Sequence, residues 1–311
     1  MQVFRTVPER ASSAAVLAIG NFDGVHLGHR ALLARLTAKA RELGLPAAVM
    51  TFEPHPREIF TPDQAPARLT SLREKLGLLE DCGVERVYIL HFSRKIAHLT
   101  ADEFIRHTLA EGLAVRHVII GDDFRFGRGR TGDFTMLEAA GKELGFGVEA
   151  MHTVDIDGER VSSSAVREAL AEGDLEHAAR LLGRPYRISG RVVHGDKIGR
   201  RIGFPTANIQ LKRKRLPLTG IFAVTVSGLG GAPLQGAASL GVRPTLGYGL
   251  RPVLEVFLFD FAGEIYGAHL TVHFLHKLRD EAKFESLDAL RDQIAKDVEV
   301  TRQYFADNAH G

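Results

Sequence analysis

The spacing of apolar residues changes character once along this chain, and that change constrains the fold more than any other feature. Up to Gly183-Arg184-Pro185, short apolar runs alternate with segments of helical period. The runs Val16–Ile19, Ala47–Phe52, Val87–Phe92, Val118–Gly121 and Val148–Val154 predict strands. Leu32, Leu33, Leu36, Ala40 and Leu43 form one stripe of a helix over Ala31–Leu43. Ser71 with Glu74, and Thr100 with Glu103, have the spacing of capping boxes and open two further helices. This alternation predicts βαβ units on a parallel sheet, which binds ligands beyond the carboxyl ends of its strands. After Pro185 the runs Tyr186–His194, Phe222–Val226, Gln235–Leu240, Val253–Asp260 and His269–Leu275 follow one another with Gly and Pro between them. They predict a small antiparallel barrel. One helix closes the chain, with Ser286 as N-cap and Leu287, Leu290, Ile294, Val298 and Phe305 on its apolar face. The fold class is α/β, with one domain over 1–184 and a second over 185–311.

Composition narrows the function. The 311 residues suffice for two domains, and 45 % hydrophobic with 25 % charged content is that of a globular protein. Forty basic against 38 acidic residues leave a formal charge of +2, which argues against nucleic acid or an anionic membrane as the main partner. The basic run Lys212-Arg213-Lys214-Arg215 has no interleaved aromatics and reads as a solvated loop. Cys82 is the one cysteine, so the chain has no internal disulfide and no Cys-rich metal site; at a helix end it reads as a small half-buried side chain. No run approaches the ~20 apolar residues of a membrane span, and the N-terminus has no signal-like apolar core. A cytoplasmic location is the expectation. Oligomeric state is left open, and a homo-oligomer is admitted.

The decad Gly20-Asn21-Phe22-Asp23-Gly24-Val25-His26-Leu27-Gly28-His29 joins the first strand to the first helix. A strand, a Gly-rich turn and a helix N-terminus make an anion site, because free N–H groups and the helix dipole face the ligand. His26 and His29 add imidazole donors suited to nucleotide phosphates. Gly121-Asp122-Asp123-Phe124-Arg125-Phe126-Gly127 also follows a strand. Its aromatic–basic–aromatic triplet can stack on a flat ring and pair with a phosphate, or be a surface loop. Ser162-Ser163-Ser164-Ala165-Val166-Arg167 opens a helix whose hydroxyls, N–H groups and Arg167 would face an anion, or whose serines merely cap it. Thr51-Phe52-Glu53-Pro54-His55-Pro56 ends another strand in a proline-fixed loop.

The barrel half carries a second constellation, Gly190 to Asn208, with Gly190, Gly195, Gly199 and Gly203 followed by Phe204-Pro205-Thr206-Ala207-Asn208. Spaced glycines suit backbone that closes around phosphates. The Thr206 hydroxyl and the Asn208 carbonyl are hard oxygen ligands for Mg²⁺ bound jointly with ATP. Glu255 stands in the apolar strand Val253–Asp260; it either faces a polar cleft or points outward from the strand, since Glu255 and Phe257 share a face and the alternation is not clean. A kinase acting on a primary alcohol wants such a carboxylate.

These motifs, in this order over nearly the whole chain, resemble the bacterial bifunctional riboflavin kinase/FMN adenylyltransferases, or FAD synthetases. The decad resembles the His-x-Gly-His signature of the nucleotidylyltransferases, and Gly203–Asn208 the Gly-x-Pro-Thr-Ala-Asn signature of riboflavin kinases. The resemblance implies a Rossmann-like parallel-sheet adenylyltransferase domain and a riboflavin kinase barrel. It implies ATP as co-substrate, Mg²⁺ or another hard divalent ion, and riboflavin and FMN as substrates. His26 and His29 would stabilise the ATP phosphates in a site built from Gly20, Phe22, Asp23, Gly24 and Gly28. Ser162, Ser163, Ser164 and Arg167 would close that site, Ser164 standing where the family usually has Thr. Pro54, Asp123, Phe124 and Phe126 would line the flavin, with Gly127–Gly132 as a mobile loop beside it. In the barrel, Gly190, Gly195, Gly199, Gly203, Pro205, Thr206 and Asn208 would hold ATP, Thr206 and Asn208 also the metal. Glu255 would orient or deprotonate the ribityl hydroxyl, and Arg279 would sit beside the flavin. Phe257 stands where the family more often has His. Gly241-Val242-Arg243-Pro244-Thr245 matches too, without an assigned role.

Two rivals remain at this level. A nucleotidylyltransferase with another phosphorylated acceptor fits the decad but has no reason to carry the Pro-Thr-Ala-Asn barrel. A flavin-binding regulatory module would bind flavin without consuming ATP.

Overall fold

The computed structural model describes residues 1–195, 198–245 and 249–308. They form two compact units, one of Met1–Pro66 with Leu72–Ser162, the other of Ala67–Ser71 with the chain from Ser163 onward.

In the first unit, β1 (Gln2–Phe4), β2 (Ala15–Ile19), β3 (Ala47–Glu53), β4 (Arg86–His91), β5 (Val115–Gly121) and β6 (Gly147–Met151) form one sheet in the order β1-β4-β3-β2-β5-β6. Every pair is parallel. All five predicted strands are present; the exposed edge strand β1 has no burial pattern for the sequence to reveal. β2 is buried throughout because helices cover both faces. Ala15, Leu17 and Ile19 pack with Phe104, Ile105 and Leu109, while Val16 and Ala18 pack with Leu33, Leu36 and Ala40 of the helix Leu27–Leu43. The Thr100–Glu103 capping box forms as predicted, Thr100 N–H donating to Glu103 Oε2 at 2.8 Å and Glu103 N–H to Thr100 Oγ1 at 3.2 Å. Strand order reverses at the β2/β5 pair, so the crevice of the sheet opens beyond Ile19 and Gly121. A small hairpin, β7 (Asp155–Ile156) and β8 (Glu159–Arg160), follows.

In the second unit, the helices Ser163–Glu172 and Leu175–Leu182 precede a closed antiparallel barrel. Its strands are β9 (Tyr186–Val193), β10 (Ala207–Ile209), β11 (Gly220–Ser227), β12 (Leu234–Thr245), β13 (Gly249–Leu258) and β14 (His269–Arg279), in the order β10-β13-β12-β11-β14-β9. β10 is too short for a periodicity argument, and a short helix, Ile198–Arg201, precedes it. The closing helix spans Leu287–Asp307, and the Ser286 side chain caps it by accepting from Ala289 N–H at 3.1 Å.

Two expectations are corrected. The closing helix buries Asp297 and Thr301 most deeply, and Leu287 is 52 % exposed, because the covered face is centred on an ion pair and not on the leucines. The basic run is solvated only in part. Arg213 is buried and donates to the carbonyls of Arg68 (3.3 Å) and Leu69 (3.1 Å) and to the Tyr186 hydroxyl. A guanidinium has enough fixed donors to satisfy several buried oxygens at once.

Candidate functional site

The decad forms the turn its sequence requires, under strain. Phe22 and Val25 adopt positive φ, 48° and 42°, and Gly24 lies between them at 84°. A β-branched residue there costs on the order of 1–3 kcal/mol. Burial of both Phe22 and Val25 in the core beneath the first helix holds the turn in place. A Cβ on Gly20 would press on the Phe22 ring at 3.2 Å. One on Gly28 would meet the His26 ring at 3.2 Å and the Val161 carbonyl at 3.4 Å, which brings the residue before Ser162 against the helix start.

His26 is the N-cap of the helix, and its Nδ1 accepts from His29 N–H at 3.3 Å. One first-turn donor that the sequence offered to a ligand is therefore taken by His26. The imidazoles stack with centroids 3.7 Å apart. Among the described residues, His29 Nδ1 and Asn21 Oδ1 are buried without a hydrogen-bond partner. Such orphans cost about 1–3 kcal/mol each and imply a ligand that supplies the partner. Burial, and then the neighbouring His26 and Lys75, push the His29 pKa well below its ordinary value, so the ring is neutral at pH 7.

Lys75 carries a signal the sequence did not show, sitting inside an ordinary amphipathic helix, Leu72–Asp81. It is buried, and its Nζ lies 3.5 Å from Thr51 Oγ1, which itself donates to the Asn21 carbonyl at 3.2 Å. The ammonium thus stands at the carboxyl edge of β2 and β3. Asp23 is buried in the same turn.

Around the crevice the remaining candidates divide. Pro54 follows β3 through a cis peptide. Phe124 is half-buried and stacks on Phe126 at 5.7 Å. Phe126 belongs to the core against Phe104, so Phe124 is the aromatic with surface left for a flat ring. Asp123 is exposed and pairs with Arg160 at 2.8 Å. Arg125, which the sequence left between a phosphate partner and a surface loop, pairs with Asp133 at 2.9 Å. Next to Phe126, the 127–132 stretch forms a turn in which Phe126 and Gly132 bridge and Arg128 N–H donates to the Leu99 carbonyl at 2.7 Å. Ser163, Ser164 and Arg167 pack with the second unit, where Arg167 donates to the carbonyls of Ala67 (2.6 Å) and Ser163 (3.0 Å).

The barrel site is a cavity of about 270 Å³ whose lining includes Gly199, Phe204, Thr206, Ser239, Glu255, Phe257, Arg279, Glu281 and Asp297. Its polar row is made by strand register. Asn208 of β10 stands opposite Glu255 of β13, and Glu255 opposite Ser239 of β12. Directly opposed residues share a face, so three strands bring an amide, a carboxylate and a hydroxyl side by side. Thr206, two residues before Asn208, joins them.

The glycines serve this row. A Cβ on Gly195 would lie 2.4–2.5 Å from the Asn208 amide atoms. One on Gly199 would strike the Phe204 carbonyl at 2.3 Å and meet Thr206 Oγ1 at 3.4 Å. They close on the side chains expected to hold metal and nucleotide, whereas the sequence reading had backbone closing on phosphate directly. Gly190 gives way to β10, Gly203 takes φ 92° in the turn before Pro205, and Asp196 and Lys197 lie outside the described residues. The Gly241–Thr245 run acquires one role, since Glu281 rests its carboxylate over Gly241 where a Cβ would stand. Sequence reasoning missed Ser239, Glu281 and Asp297, because nothing local marks them as neighbours of Glu255.

No helix of the described residues is long and apolar enough to cross a membrane. A family model for FAD synthetase matches residues 9–165, and one for riboflavin kinase matches residues 182–305. The bifunctional riboflavin kinase/FMN adenylyltransferase of Escherichia coli (strain K12) is 53 % identical over 93 % of this chain and 92 % of its own. The one of Haemophilus influenzae is 50 % identical over 98 % of this chain and 99 % of its own. A Streptococcus pneumoniae crystal structure, described as a macrolide-efflux protein, superposes with a TM-score of 0.81 at 32 % identity, covering 97 % of this chain and 99 % of that one. With both family models matched in sequence order, and relatives at 50–53 % identity along almost the entire length, this chain belongs to the bifunctional riboflavin kinase/FMN adenylyltransferase family.

Proposed function

We propose that the family's two activities divide along the chain, with 1–184 transferring AMP to FMN and 185–311 phosphorylating riboflavin. In the barrel, Glu255 takes the proton of the terminal ribityl hydroxyl while that oxygen attacks the γ-phosphorus of ATP. Gly190, Gly195, Gly199, Gly203 and Pro205 shape the loop over the nucleotide. The Thr206 hydroxyl and the Asn208 amide oxygen are hard oxygen donors that would hold a divalent ion such as Mg²⁺ jointly with the nucleotide phosphates, where it would neutralise charge on the transferring phosphate. Arg279 orients the flavin ring.

In the first unit, a phosphate oxygen of FMN attacks the α-phosphorus of ATP and pyrophosphate leaves. His26 and His29 stabilise charge on the phosphates from the helix N-terminus, in a turn shaped by Gly20, Phe22, Asp23, Gly24 and Gly28. The family resemblance further assigns Ser162, Ser163, Ser164 and Arg167 to the nucleotide. Pro54, Asp123, Phe124 and Phe126 form the flavin side, Phe126 acting as the packed support beneath Phe124. The product of the first reaction is the substrate of the second. Dependence on ATP and a chain with one cysteine support a cytoplasmic setting.

The observation that carries this reading is the register that sets Asn208 opposite Glu255 and Glu255 opposite Ser239, with Thr206, Glu255 and Ser239 lining one cavity. The test is incubation with riboflavin, ATP and Mg²⁺, with the flavins separated over time. FMN should rise first and FAD follow. His29→Ala should reduce FAD formation at least 10²-fold and leave FMN formation intact. Glu255→Gln should slow FMN formation 10²–10⁴-fold and leave FAD formation from added FMN intact. Loss of both activities in either folded variant would refute the two-site division.

A further inference from the structure

One firmly held charged group in the barrel cavity is a residue that no sequence motif marks. Asp297, on the closing helix, is 6 % exposed. Arg279 meets it as a two-pronged ion pair, Nε to Oδ1 at 2.8 Å and Nη2 to Oδ2 at 2.6 Å. Gln293 Nε2 donates to the same Oδ1 at 2.9 Å, and Arg279 Nη1 donates to the Asp280 carbonyl at 2.9 Å. Arg279 and Asp297 both line the cavity that holds Glu255 and Thr206.

Helix packing does not require this carboxylate. Its neighbours along the cavity wall are Leu290, Ile294 and Val298, and an apolar residue at 297 would cover the barrel without burying a charge. What the carboxylate does supply is direction. A guanidinium has five N–H donors in a rigid plane, and three are committed to Asp297 and Asp280. Two remain, in a plane that cannot rotate while the pair is intact.

We infer that Asp297 is a positioning residue of the kinase site: it fixes the Arg279 plane so that the two remaining N–H groups face the cavity and donate to acceptor atoms on the pyrimidine edge of the flavin ring. This rests on the reading of the cavity as the riboflavin site. A planar fork matches a planar edge of ring nitrogen and carbonyl acceptors better than a freely rotating cation does. Phe284 lines the same cavity, its ring centre 5.9 Å from the guanidinium carbon, and with Ile294 offers apolar surface to the rest of the ring.

The experiment uses the full chain with Asp297→Asn, which keeps the shape and removes the charge. Riboflavin KM, ATP KM and kcat of the kinase step are measured with Mg²⁺, alongside FAD formation from FMN and the melting temperature. The expected result is a riboflavin KM raised about tenfold, with kcat and ATP KM changed less than threefold and adenylyl transfer unchanged. Should Asp297→Asn fail to fold, Gln293→Leu removes one hydrogen bond to the carboxylate without touching a charge, and riboflavin KM should rise about threefold. A lower melting temperature with unchanged riboflavin KM would overturn the inference and leave Asp297 as a structural ion-pair partner. Arg279→Lys separates the two layers of the argument. If it raises riboflavin KM and Asp297→Asn does not, the cavity reading stands and the positioning role falls. If neither changes it, Arg279 does not meet the flavin.

Discussion

Gly195→Ala is a sharp test of the barrel site, because the methyl group would press on one side chain and affect one of the two activities. A Cβ at Gly195 would lie 2.4 Å from Asn208 Nδ2 and 2.5 Å from Cγ and Oδ1. Ordinary contact needs roughly 3.5 Å, so about 1 Å must be found. The backbone of Asn208 is pinned on both sides, opposite Val193 in β9 and Glu255 in β13. The side chain must therefore rotate, carrying its amide oxygen away from the row with Glu255. A displacement of about 1 Å in a positioned group costs on the order of 10²-fold in rate. At 1.36 kcal/mol per tenfold, that is about 2.7 kcal/mol of lost transition-state stabilisation. The assay is kcat/KM for FMN formation, with FAD formation from added FMN measured on the same preparation as the control for folding. The expected outcome is a fall of about 30–100-fold in the first and no change in the second. A kinase kcat/KM within threefold of the parent, with adenylyl transfer intact, would refute the assignment of Asn208 to the nucleotide and metal.

Two further predictions concern stability. His29 binds fewer protons in the folded chain than in the unfolded one, because burial and then the charges of His26 and Lys75 lower its pKa from 6.5. Its contribution is therefore fully present above about pH 6.5 and is lost as the pH falls toward the folded value. Urea unfolding at pH 7.5 and 5.5 should show a larger loss for the parent than for His29→Gln; equal losses would remove the buried neutral imidazole from the account. Arg213→Met should destabilise the chain by about 1–3 kcal/mol, since it removes the buried guanidinium's hydrogen bonds to the carbonyls of Arg68 and Leu69 and to the Tyr186 hydroxyl. Denaturant titration would read this directly, and a change under about 0.5 kcal/mol would mean that the carbonyls find other partners.

Much of this chain is legible locally. β2 through β6, the capping box at Thr100, the Ser286 cap and the decad at the end of β2 follow from periods and pairs of residues a few positions apart. Those signals act within one turn or one strand, so a linear reading captures them. Glu255 also stood out as a charge in an apolar strand, and it lines the barrel cavity. Other placements share one cause. Arg125 finds Asp133, Phe126 packs into the core beneath Phe124, and Arg213 is buried where the sequence predicts a solvated loop, because each meets a tertiary partner that its own neighbourhood does not name.

By itself the sequence determined the element types, their order and the two motif-bearing turns, because backbone propensity and the burial of one face are set by adjacent residues. Only the tertiary structure decided which side chains meet. Closure of the barrel pairs a three-residue strand with β13 and so sets Asn208 against Glu255, 47 positions along the chain (255 − 208). The same closure brings Asp297 under Arg279, and packing assigns Ala67–Ser71 to the second unit. Such pairings depend on strand register and sheet closure, which are properties of the whole packed chain and leave no mark on either residue's sequence neighbours.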